Sequence, residues 1–231
     1  MHIKGIHKTS LIDYPGKICS ILFTGGCNLR CRYCQNQELV YNSDDIQTYN
    51  IEDILRLLKK RKGLIDGVVI SGGEPTISND LNNFIKAIKN IPLLVKLDTN
   101  GLNPIAIKSL ITNNLIDYLA IDIKTSPEKY EQLSQKKVDF LEIMKTIEIV
   151  KESTIEFELR TTCIPYFVTI EDLQSIKRHI GFIKKYYLHQ FINKKTLDPS
   201  LQEYKPYPLS TLYHFKDFIK TFADICEIRG I

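Results

Sequence analysis

The stretch "ICSILFTGGCNLRCRYCQN", residues 18–36, decides how the chain is read. Its first seven residues, Ile18 to Thr24, form a nearly unbroken apolar run stopped by Gly-Gly, the pattern of a buried strand. Directly behind it stand Cys27, Cys31 and Cys34, spaced C-x3-C-x2-C. The other three cysteines, Cys19, Cys163 and Cys226, are scattered singly. Three thiols so close together point to a metal, yet zinc and most iron–sulfur clusters take four protein ligands. No CxxC or HxxxH pair follows to complete a structural zinc site, and Cys163 sits beside a predicted strand interior. An iron–sulfur cluster with one iron left open fits better, because an open position is what a catalytic metal keeps. Structural zinc or inert thiols are the alternative.

Outward from this stretch, apolar runs alternate with helical spacing. After the strand at 18–24, strands are expected at 67–71, 93–98, 117–124, 155–162 and 185–191. Helices are expected between them at 51–63, 79–91, 104–114, about 127–135, 138–152 and 169–181. Residues 193–208, rich in Pro and Lys, read as a surface loop, followed by a helix at 210–222 and a short final strand at 225–230. Six βα units with near-continuous apolar strands imply a parallel sheet covered by helices. Eight units would close a full barrel, so six imply a partial barrel or an open doubly wound sheet. No composition break marks a second domain, and 1–231 reads as one unit.

The chain's 231 residues, 43% apolar and 25% charged, suit an ordinary globular protein with a substantial core. A net charge of +4 without a basic block gives no reason to expect nucleic acid. No apolar run approaches the roughly 18 residues a membrane span needs, and the N-terminus lacks a signal-peptide core. A cytoplasmic protein without membrane contact is the expectation. Six cysteines are too sparse for a disulfide scaffold, and a reducing compartment favours metal use of the clustered three.

Polar or Gly-rich signals recur where the strands end: "GGEP" after the second, "DTNG" after the third, "DIK", "RTT" and "HQF" closing the fourth, fifth and sixth. Ligands of parallel βα folds bind at the carboxyl ends of the strands. Each signal alone is ordinary turn chemistry; with "GGCNLRCRYC" after the first strand, six at corresponding positions mark a site. His2, His7, His179 and His214 show no ligand spacing, and Cys19 and Cys226 read as buried apolar residues.

C-x3-C-x2-C after the first strand of a βα fold resembles the radical S-adenosylmethionine (radical SAM) superfamily. The resemblance implies a partial (β/α)6 TIM-type barrel, with a core at about 16–192 and a C-terminal loop and helix at 193–231. It implies that Cys27, Cys31 and Cys34 hold three irons of a [4Fe–4S] cluster and that SAM chelates the fourth. The reduced cluster would cleave SAM to methionine and a 5′-deoxyadenosyl radical. Tyr33 matches the aromatic position against the adenine, or packs the loop. Gly72, Gly73 and Glu74, with Pro75, match the "GGE" turn that meets the methionine amino group through backbone, where glycine permits close approach. Asp98, Asp122 and Lys124 match positions lining the SAM and substrate-peptide cleft; Lys124 would pair with a carboxylate or the ribose, or form a strand-end salt bridge. Arg160 matches an arginine that holds the SAM carboxylate, which its bidentate fork suits. His189 would touch SAM or be a packed residue, with Gln190 and Phe191 as neighbouring candidates.

Within that superfamily, "SLIDYPGKICSILFTGGCNLRCRYCQNQELV" resembles the glycyl-radical-enzyme activating enzymes. "IDYPGK", with Tyr14, "FELRTTCIP" and "HQFINKKTLDPSL" resemble the activating proteins of anaerobic ribonucleoside-triphosphate reductase, of which pyruvate formate-lyase activating enzymes are close cousins. The likeness implies hydrogen abstraction from a glycine Cα near the C-terminus of a partner enzyme, and a flavodoxin- or ferredoxin-type electron donor. It implies no catalytic residue beyond the cluster and SAM. The cysteine count leaves no room for an inserted ferredoxin-like module. Alternatives are a small-molecule radical SAM enzyme of deazaguanine synthase type and, from a different class, a non-catalytic iron–sulfur electron carrier. The strand-end signals count against the carrier, which needs no SAM cleft.

Overall fold

The apolar runs become strands of a single sheet. A computed structural model describes all 231 residues. Its eight strands are β1 (Ile3–Ser10), β2 (Cys19–Thr24), β3 (Gly67–Gly72), β4 (Leu94–Thr99), β5 (Tyr118–Asp122), β6 (Glu156–Cys163), β7 (Ile183–Gln190) and β8 (Ala223–Arg229). They lie in the sheet in sequence order, β2 to β8 parallel and β1 antiparallel to β2. The sheet does not close: β1 and β8 are its two edges, so the barrel is partial.

Helices α1 (Gln37–Val40), α2 (Ile51–Arg61), α3 (Leu81–Lys89), α4 (Pro104–Thr112), α5 (Tyr130–Ser134), α6 (Phe140–Lys151), α7 (Ile170–Ile180) and α8 (Leu209–Ile219) fill the connections. Local chemistry fixes their starts. The Asn50 side chain caps α2, and Thr169 with Asp172 forms a capping box on α7. The apolar faces of α2–α4 and α6–α8 meet the sheet in one core of 44 buried residues. A separate cluster of Tyr14, Cys19, Ile21, Val69 and Tyr118 closes the amino-terminal end of the barrel interior. Tyr14 of "IDYPGK" is buried there, its ring 5.8 Å from that of Tyr118. No helix is long and apolar enough to cross a membrane.

The structure departs from the sequence expectation in three places. β1 was not expected, because "IKGIHKTS" lacks a continuous apolar run and its second half is exposed; it is an edge strand. The final strand is real, and as β8 it is a full parallel member of the sheet. Residues 193–208 are not a free surface loop, since Thr196 and Leu201 are fully buried and Pro199–Glu203 forms a 3-10 turn. Cys163, the last residue of β6, is sealed in the core and can ligate nothing there. Burial pushes the Cys19 and Cys226 thiols up to about 11 and about 12, as expected of inert core cysteines.

Candidate functional site

A cavity of about 420 Å³ opens at the carboxyl ends of the strands, a volume typical of ligand sites. Every residue singled out from the sequence lines it: Cys27, Cys31, Cys34, Tyr33, Gly72, Gly73, Glu74, Asp98, Asp122, Lys124, Arg160 and His189. The alternation of parallel strands brings them there. Asp122 is in register with Arg160, and Thr162 with His189, so the carboxyl-terminal ends of successive strands bring these residues to one space.

The three cysteines sit on the loop leaving β2, with Cys31 buried and Cys27 and Cys34 partly buried. The Leu29 N–H points at Cys27 Sγ, 3.4 Å away, and the Cys34 N–H donates to the Cys31 carbonyl at 2.9 Å. Burial pushes the Cys31 thiol up to about 12, opposed chiefly by the Lys124 ammonium. A cation at the site would have to displace those protons. No three His, Cys, Asp or Glu side chains are grouped as a single-ion site requires. Cys27, Cys31 and Cys34 all line the cavity, and three thiolates on one loop are the donor set of an iron–sulfur cluster.

The "GGE" turn is tied to the cysteine loop by backbone. Gly73 N–H donates to the Thr24 carbonyl at 2.9 Å and Glu74 N–H to the Gly26 carbonyl at 2.8 Å. A Cβ on Gly73 would lie 1.9 Å from Gly26 O, and Gly72 has φ +113° with Thr24 N 2.4 Å from its virtual Cβ. The glycines are therefore demanded by the approach of one loop to the other, a reason the ligand-access argument did not contain. Gly73→Ala is expected to cost about 1–3 kcal/mol, read as a lowered melting temperature. An unchanged melt would show that the turn has slack. The Glu74 carboxylate also turns inward. It accepts from Thr76 N–H at 3.1 Å, Thr99 Oγ1 at 2.7 Å and Asn100 N–H at 2.7 Å. Its side chain joins the "GGE" and "DTNG" turns and is spent on the chain itself.

Across β4, β5 and β6 runs a chain of alternating charge, Lys96–Asp98–Arg160–Asp122–Lys124. Arg160 donates from Nε to Asp122 at 2.8 Å and from Nη1 to Asp98 at 3.2 Å; Lys124 meets Asp122 at 2.9 Å, and Lys96 meets Asp98. Burial alone would raise both carboxyls, but Arg160, aided by the lysines, holds them below the usual carboxylate range. Arg160 and Lys124 stay fully charged: burial disfavours their cations, but the carboxylates outweigh it. Lys124 thus forms the strand-end salt bridge, while Arg160 keeps Nη2 without a protein partner.

His189 Nε2 is buried without any hydrogen-bond partner. Burial first, then Arg160, pulls its pKa from 6.5 to about 4, so the ring is neutral at neutral pH. The residue lines the cavity, although Nε2 itself is covered. As pH falls below 6.5 the unfolded histidine gains a proton that the folded one refuses until about 4, so stability should drop across that window. His189→Leu should remove this part of the acid slope in urea melts. Tyr33 lines the cavity and packs against the Leu133, Ile164, Phe167, Phe191 and Leu201 cluster.

Sequence reasoning missed several lining residues. Asn100 Nδ2 donates to Asn28 Oδ1 at 2.7 Å, tying the β4 end to the cysteine loop; "TNG" had read as turn chemistry alone. Arg229 on β8 lines the cavity while gripping buried Glu158 at 2.8 and 3.0 Å, its guanidinium 3.5 Å over the Tyr187 ring. The signal was available, because "RG" ends β8 as "RTT" ends β6.

The chain is similar to several known proteins. A Methanocaldococcus jannaschii protein, provisionally named a glycyl-radical enzyme activating enzyme, is 33% identical over 99% of this chain and 96% of its own. The pyruvate formate-lyase-activating enzyme of Clostridium pasteurianum is 26% identical over 79% of each chain. Streptococcus suis SuiB bound to S-adenosylmethionine has the same fold at 16% identity, with a TM-score of 0.66 over 91% of this chain; the match spans about half (52%) of SuiB. The model of the "Radical SAM superfamily" matches residues 21–183. That match spans the cysteine loop and every strand from β2 to the start of β7, and with it the chain belongs to the radical SAM superfamily, enzymes that use a [4Fe–4S] cluster and S-adenosylmethionine.

Proposed function

We propose that this enzyme activates a glycyl-radical enzyme, and that its partner is an anaerobic ribonucleoside-triphosphate reductase. The observation that carries activation is the end-to-end match to the M. jannaschii protein, which covers nearly all of both chains. The reductase is favoured over pyruvate formate-lyase by "IDYPGK", "FELRTTCIP" and "HQFINKKTLDPSL". The whole chain, 1–231, acts as one radical SAM unit, supplied in the cytoplasm by a flavodoxin- or ferredoxin-type donor.

Cys27, Cys31 and Cys34 would hold the cluster. When bound, cluster and SAM together supply a reductive cleavage that yields a 5′-deoxyadenosyl radical. The chain's own residues bind and orient. The Gly72–Glu74 backbone offers a surface unblocked by side chains. Arg160, fixed by two carboxylates, presents Nη2 for the SAM carboxylate, and the neutral His189 ring lines the same space. Tyr33 supplies an apolar wall for the adenine. Asp98, Asp122 and Lys124 line the cleft as a mutually neutralised group that keeps Arg160 in place. The unclosed sheet leaves a side between β1 and β8 for a glycine loop, where a closed barrel would be filled by side chains.

The test is electron paramagnetic resonance on reduced enzyme, SAM and each glycyl-radical enzyme of the same organism. A glycyl radical on the ribonucleotide reductase is expected. A signal on pyruvate formate-lyase alone would reassign the partner. Silence on all of them, with turnover of a small molecule, would refute activation.

A further inference from the structure

The segment after β7 is built against the cysteine loop, and nothing in the function above uses it. Within the loop, Cys27, Leu29, Cys31 and Tyr33 line the cavity, whereas Arg30 and Arg32 do not. Arg32 instead makes a reciprocal pair with Asp198. Its Nε donates to Asp198 Oδ2 at 2.6 Å, and the Asp198 N–H donates back to the Arg32 carbonyl at 2.8 Å. Gln35 Nε2 donates to the Ile192 and Lys194 carbonyls, both at 3.1 Å, and Gln37 Nε2 to the Thr196 carbonyl at 2.9 Å. Three side chains from 32–37 therefore reach the same short segment.

That segment is itself anchored. Leu201 and Thr196 are fully buried, Thr196 Oγ1 donates to the Asp198 carbonyl at 2.7 Å, and Asp198 Oδ1 caps the 3-10 turn through the Ser200 N–H at 2.9 Å. On its other side the loop is held by the end of α5: Arg30 N–H donates to the Ser134 carbonyl at 2.8 Å and Arg32 N–H to that of Leu133 at 3.0 Å. Arg32 also lies 5.3 Å from the Phe167 ring centroid. The backbone between Cys31 and Cys34 is thus fixed from two directions, and Arg32 is the residue common to both.

We infer that residues 192–203 are a brace for the cluster, and that the Arg32–Asp198 pair is a positioning device that holds the cysteine thiols at the spacing the cluster needs. The pair never touches the cavity; it acts through the loop backbone, as outer partners orient metal ligands elsewhere. The inference rests on the cluster assignment alone and is independent of which partner receives the radical.

The test compares anaerobically reconstituted wild type with Asp198→Ala, Asp198→Asn and Arg32→Ala, reading iron release to a chelator and the melting of each apo chain. Asp198→Ala and Arg32→Ala should release iron about 10- to 100-fold faster than wild type. Asp198→Asn, which keeps one acceptor oxygen and loses the charge, should fall between. The double variant should be no faster than the worse single one, because the two act as a pair. Apo melting should not track these rates. Release at the wild-type rate in both alanine variants would overturn the brace. So would apo melting losses that account for the faster release. A wild type that takes up no iron would overturn the cluster assignment and the brace together.

Discussion

Cys31→Ala is expected to leave a folded chain that holds no stable cluster. Cleavage of SAM should fall at least about 1,000-fold, equivalent to about 4 kcal/mol of barrier. Cys31 is the buried middle member of the loop, and its thiol faces the cavity beside Lys124. Removing one of three ligands leaves an iron with no protein partner. The substitution shortens a small side chain, so the fold should lose only about 1 kcal/mol. Cys163→Ala and Cys226→Ala are the controls: both thiols are buried away from the cavity, and both variants should load iron as wild type does. Loss of iron in Cys163→Ala would restore a fourth protein ligand and contradict the site described above.

Arg160→Leu should be the most destabilising change in the site, by about 2–3 kcal/mol, because it strands two partly buried carboxylates. In wild type, Arg160 outweighs the burial that would otherwise raise Asp98 and Asp122. Their depressed folded values add stability that is present above the unfolded carboxylate range and is lost only in strong acid. Without the guanidinium, burial and mutual repulsion raise them instead, and the sign reverses. The variant should then gain stability as the buffer moves from about pH 8 to about pH 5. Urea melts at the two pH values check this. A variant as stable as wild type at both would mean that Lys96 and Lys124 suffice to neutralise the pair.

The part of this arrangement that sequence could show is the part carried by local pattern. β2 to β7 announced themselves as apolar runs because strands buried on both faces leave no polar alternation to misread. Their ends announced the site because Gly, Asp and Arg interrupt those runs at equivalent points. β1 stayed hidden because an edge strand with one wet face need not be apolar. The brace stayed hidden because its hold on the cysteine loop consists of polar groups meeting across 166 residues of chain, as in the Arg32–Asp198 bond. Nothing in the sequence marks Lys96 within its apolar run; only the fold places it 1% exposed beside Asp98. Glu74 was recognised in the right motif, but its carboxylate was not seen to serve the chain itself. Composition has no way to reveal that the space above Gly73 is already taken by Gly26 O.

The central claim is that this cavity brings a cluster and SAM together for reductive cleavage. Anaerobic reconstitution, reduction and addition of SAM, followed by chromatographic measurement of 5′-deoxyadenosine and methionine, test it most directly. Equal amounts of the two products from wild type, and neither from Cys31→Ala, are the predicted result. A loaded, reduced wild type that leaves SAM intact, or cleavage that survives in Cys31→Ala, would contradict it.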